Sequence, residues 1–60
     1  MRKKYKYNVI GFGENGEVKE VYLRTNSLDA ARAECSSRNL DVRCGYLDGV
    51  KKVYVTTTDV

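Results

Sequence analysis

Histidine is absent from the 60-residue chain. That removes the usual general base and the commonest metal ligand, and no Ser, Thr or Cys has an evident activating partner among the remaining residues. Cysteine is scarce: Cys35 and Cys44 are too few and too far apart for a zinc site, which takes four N or S ligands in recognisable pairs. The two thiols either bridge the segment between them or serve as small apolar side chains in a reducing compartment, where disulfides are rare. Long apolar runs are lacking too, and nothing approaches the ~20 residues of a membrane span. The basic Met1-Arg2-Lys3-Lys4 start continues as Tyr5-Lys6-Tyr7-Asn8 and not as an apolar stretch, so it does not read as a signal peptide. These absences argue against an enzyme, a cofactor or a membrane partner, and point to the cytoplasm.

The residues that are present suit one small α+β domain spanning 1–60. A chain this short buries only about 60% of the surface its unfolded form exposes, so its stability is marginal without a staple or a partner. Asn15-Gly16 lies between two β-rich runs, 5–13 and 18–25, and supplies the positive-φ pair of a type I′ turn. Asp48-Gly49 gives a similar signal between 41–47 and 50–57. The intervening segment 27–39 carries Leu28, Ala31 and Cys35 at helical spacing; Asn26 or Ser27 can cap its start and Asn39 can end it. The expected architecture is therefore ββαββ, a four-stranded antiparallel sheet with one helix packed on one face. The strand order is 2-1-3-4 or 1-2-4-3, and the apolar run 9–12, suited to a central strand, favours the first.

Two-residue turns fix cross-strand partners, because directly opposed residues share a face. They pair Ile10 with Val21, Asn8 with Leu23 and Phe12 with Lys19 on one side, and Val9 with Tyr22, Tyr7 with Arg24 and Gly13 with Val18 on the other. In the second hairpin Cys44 meets Val53 and Val42 meets Val55, while Arg43 meets Tyr54 and Leu47 meets Val50. The helix residues Leu28, Ala31 and Cys35, with Leu40, are expected to cover Ile10, Phe12, Val21, Leu23, Val42, Cys44, Val53 and Val55. The uncovered face would hold Tyr5, Tyr7, Val9, Val18, Tyr22, Leu47, Val50 and Tyr54, among Arg24, Arg43 and Lys52. An ordinary solvated sheet face is polar.

Rings with a polar tip beside planar cations form the composition of binding surfaces. The partner-binding candidates are Tyr5, Tyr7, Val9, Tyr22, Arg24, Arg43, Lys52 and Tyr54. A protein target is the first choice of partner, with a homodimer through the same face as a variant of it. Nucleic acid is second, with bases on the rings and basic groups on phosphate. Against it, 11 Lys and Arg over 8 Asp and Glu leave a net charge of only +3. The bland alternative is that the tyrosines merely satisfy β-propensity.

Other patterns match on paper and fail in context. Gly11-Phe12-Gly13-Glu14-Asn15-Gly16 is a literal G-x-G-x-x-G, but it leads into a strand and not into the helix of a dinucleotide fold. Extended to Val18 it is similar to the glycine-rich loop of protein kinases, yet no other kinase motif follows. Thr58-Asp59-Val60 fits the terminus captured by PDZ-type domains, with a frayed tail as the plainer reading. Arg2, Lys3, Lys4 and Lys6 could touch phosphate or an acidic protein, or simply guard a strand edge. Ala30, Ala33 and Ser37 form a smooth strip on the helix, which good helix formers explain equally. Arg32 and Arg38 could flank Cys35 or seal the core by snorkelling.

The stretch Leu23-Arg24-Thr25-Asn26-Ser27-Leu28-Asp29-Ala30-Ala31 runs from a strand through a capped Ser-Leu into an Ala-rich helix, and a glycine-centred turn follows at Asp48-Gly49. In this pattern the chain resembles small phage-encoded inhibitors, including anti-CRISPR proteins, among them one acting on a type I-F surveillance complex. The resemblance implies inhibition by occupying a target surface, without chemistry, in the cytoplasm of a bacterial host. It carries over no binding residue. Several such proteins are acidic mimics of nucleic acid; this chain is basic, which favours an acidic protein patch.

Overall fold

The computed structural model of the chain describes residues 5–57. Four elements follow one another: β1 (Tyr7–Phe12), β2 (Val18–Thr25), α1 (Leu28–Cys44) and β3 (Lys52–Thr56). The strands form one three-stranded antiparallel sheet in the order β2-β1-β3, with α1 packed on one face. Both outer strands run antiparallel to β1, so they run parallel to each other and need a long return connection. The helix is that connection. Its 17 residues rise about 25 Å, which matches the roughly 26 Å of the eight-residue β2.

This geometry replaces the expected second hairpin. The segment 41–47 is not a strand: α1 runs through Asn39 to Cys44, so the pairings of Cys44 with Val53, Val42 with Val55, Arg43 with Tyr54 and Leu47 with Val50 do not form. A helix ending at Asn39 would be about a third shorter and would not carry the chain back along β2. The stop is Gly45, left-handed at φ 83°. Its N–H donates to Val42 O at 3.1 Å and the Tyr46 N–H to Asp41 O at 2.9 Å, the paired bonds of a Schellman ending. At the start, the Ser27 hydroxyl accepts from the Ala30 N–H at 3.2 Å, and Asp29 lies in the first turn, favourable to the helix dipole. Asp48-Gly49 still turns the chain, now from the helix into β3.

Asn39 has a different task from ending the helix. Its Nδ2 donates to Val53 O at 3.0 Å, and its Oδ1 accepts from the Val53 N–H at 3.2 Å. The side-chain amide thus pairs with β3 as a neighbouring strand residue would, closing that part of the sheet edge. Cys35 Sγ donates to the same carbonyl at 3.3 Å. Both thiols are free, Cys35 half-buried against the core and Cys44 exposed.

The first hairpin forms at Asn15-Gly16 with a longer loop than expected. The Gly13 N–H donates to Glu17 O at 2.8 Å, the Gly16 N–H donates to Gly13 O at 3.1 Å, and only Gly16 in the loop has positive φ. That is a three-residue loop closed by a left-handed glycine, not a type I′ turn. It sets Phe12 opposite Val18. Two bulges in β2 then leave Lys19 and Tyr22 as extra residues, with Gly11 opposite Glu20, Ile10 opposite Val21, Val9 opposite Leu23, Asn8 opposite Arg24 and Tyr7 opposite Thr25. Of the expected β1–β2 partners, only Ile10 and Val21 meet.

The helix covers the odd-numbered face of β1. Val9, Val53, Ala31 and Val50 are its buried centre, with Tyr7, Tyr22, Leu23, Cys35, Val42, Leu47 and Val55 packed around them. Ile10, Phe12 and Val21, expected beneath the helix, lie on the reverse face. Tyr7, Val9, Tyr22, Leu47 and Val50, expected on the bare face, lie with the core. Leu28 and Leu40 are exposed. Both alternations of β1 are apolar, so period two could not choose between them. Gly11 decides: a Cβ there would lie 2.8 Å from the Tyr22 ring and 3.1 Å from Val50. Its bare backbone makes room for the Tyr22 ring beside the helix.

Candidate binding face

On the sheet face away from α1, the register lines up three cross-strand rows: Arg24–Asn8–Thr56, Val21–Ile10–Tyr54 and Val18–Phe12–Lys52. Asn8 and Ile10, in the middle, are buried. The flanks are open: Tyr54 is 51% exposed and Val18 48%. No helix or strand of the described residues packs over these rows.

The third row borders a hollow of about 400 Å³ lined by Phe12, Gly13, Glu14, Gly16, Lys51, Lys52 and Tyr54. The Phe12 and Tyr54 rings are 6.0 Å apart between centroids and tilted by 49°, a favourable aromatic contact that forms a wedge. The Lys51 N–H donates to Phe12 O at 2.8 Å, which fixes the start of β3 against the end of β1. Across the hollow, the hairpin loop is held by Glu17. Its Oε1 accepts from the Asn15 N–H at 3.0 Å, and its carboxylate lies where a Cβ on Gly13 would stand. Hydrogen bonds from its own backbone N–H and from Asn15, with Lys19 at 3.7 Å adding charge attraction, hold the Glu17 carboxyl below its ordinary value. Lys51 and Lys52 are exposed and form no ion pair among the described residues.

Tyr22 is held quite differently, on the helix side. The Arg38 guanidinium lies 4.8 Å from its ring centroid, and is itself held by Glu34, whose Oε2 accepts from Nε at 2.7 Å. Burial pushes the Tyr22 hydroxyl pKa up, the Glu20 charge adds to this, and Arg38 opposes it.

The expected candidates therefore divide. Arg24, Lys52 and Tyr54 share the reverse face, with Arg24 and Lys52 in its outer rows. Tyr7, Val9 and Tyr22 belong to the core side. Tyr5 is exposed just before β1, and Arg43 is exposed in the last turn of α1. Val18, expected on the uncovered face, is found on it, while Phe12 and Lys51 join it without having been expected there. The alternation of Phe12 with Ile10 was the available signal, assigned to the other side. Arg2, Lys3, Lys4 and the Thr58-Asp59-Val60 terminus lie outside the described residues.

Comparison of the chain with protein-family models, curated proteins and solved structures finds no match. No helix among the described residues is long and apolar enough to cross a membrane.

Proposed function

We propose that this chain is a non-enzymatic protein-binding module, an inhibitor or adaptor that covers a target surface with the reverse face of its sheet. The observation that supports it most is the half-exposed Tyr54, wedged on Phe12 beside Lys51 and Lys52, on a face over which no helix or strand of the described residues packs. A half-exposed tyrosine is one of the residue types that dominate binding energy. Its place of work is the cytoplasm.

The reading is tested by comparing partner retention by the wild type, Tyr54→Ser and Val18→Ser, with solution mass measured alongside. Both positions are exposed, so the variants keep the fold. Loss of a specific protein partner in both variants supports the proposal, as does a dimer that both convert to monomer. Retention unchanged in both, with unchanged mass, overturns it. A nucleic-acid partner, revealed by an affinity that falls steeply with salt as phosphate counterions are released, replaces it.

A further inference from the structure

Resting on a protein partner for the reverse face, we propose that the hollow between the Phe12–Tyr54 wedge and the hairpin loop receives an acidic peptide segment, which inserts one large apolar side chain. The volume of about 400 Å³ falls within the roughly 300–1,000 Å³ of sites that bury small ligands. It suits one side chain and its adjoining backbone. The wedge supplies an apolar wall, and two tilted rings grip an inserted side chain along two planes.

The charge at the rim selects what surrounds the anchor. Lys51 and Lys52 line the hollow and are exposed, without an ion pair among the described residues. These two lysines favour carboxylates and repel basic segments. Glu14, across the hollow, restricts the attraction to the lysine side.

The same geometry disfavours a nucleic-acid strand. A base stacks on a flat, open ring face, whereas these rings close on each other at 49°. A polyphosphate backbone needs a continued basic groove, and here Glu14 lines the hollow and Glu17 follows in the adjoining loop.

The test is a titration of the ¹⁵N-labelled full chain with the capped pentapeptide Asp-Glu-Phe-Asp-Glu, read from amide chemical shifts. Saturable shifts at Gly13, Gly16, Lys51, Lys52 and Tyr54 are expected. Affinity should fall about tenfold or more when glycine replaces the peptide's phenylalanine, when lysines replace its acids, or in the Lys51→Glu/Lys52→Glu double variant. Equal shifts from the glycine peptide, shifts centred elsewhere, or the same amides answering only to an oligothymidylate overturn the proposal. A native partner lost by Tyr54→Ser but kept by Lys51→Glu/Lys52→Glu overturns the acidic-segment proposal while the binding face stands. A partner kept by all these variants removes both.

Discussion

Replacing Asn39 with Ala removes both hydrogen bonds that its amide makes with Val53, at 3.0 and 3.2 Å. Each such bond contributes about 1 kcal/mol net, and the Val53 N–H loses its partner while the carbonyl keeps Cys35 Sγ. Alanine recovers about 0.7 kcal/mol of helix propensity at a mid-helix position. The net loss is about 1.5 kcal/mol, a large share of a small domain's stability. For a chain of this size, that lowers Tm by roughly 6–12 °C. The assay is thermal unfolding by far-UV circular dichroism, with Ser37→Ala as the control on the exposed side of the same helix. Ser37→Ala should melt at or slightly above the wild type. The bared edge of β3 should also make Asn39→Ala more prone to concentration-dependent association. An Asn39→Ala variant melting no lower than the wild type would refute the view that this amide substitutes for a missing neighbouring strand.

Two further predictions concern the helix ending and the hairpin loop. Gly45→Ala meets no neighbouring atom but must hold φ 83°, so it should lose about 1 kcal/mol in urea unfolding through backbone strain alone. The Glu17 carboxyl is held below its ordinary 4.5 in the folded chain. Its stabilisation is therefore fully present above that value and disappears as pH falls through the lower folded value. Glu17→Gln should be less stable than the wild type at neutral pH, and the difference should vanish in acid; a gap that persists there would remove the charge-based account of the loop.

The class of fold, the first hairpin and the start of the helix were legible because each rests on local chemistry: Asn15-Gly16, Ser27, and apolar residues at helical spacing. The end of the helix was misread because Asn39 is a good terminator in isolation. Its side chain has a strand edge to bind only after the chain has folded back. Val42 and Cys44 look like strand residues for the same reason, and Gly45 was the overlooked stop. The choice of sheet face turned on two bulges and on Gly11, whose missing Cβ matters only once Tyr22 stands above it. Hence Arg24, Lys52 and Tyr54 were placed on the face away from the helix, where they lie, and Tyr7, Val9 and Tyr22 were placed on the wrong side.

The most direct test of a working surface opposite the helix is hydroxyl-radical footprinting of the chain, free and partner-bound. Tyr54 and Phe12 should lose reactivity on binding, while Leu40 and Tyr46, exposed at 57% and 76% outside that face, keep theirs. Protection of Leu40 with Tyr54 still reactive would contradict the account and assign binding to the helix.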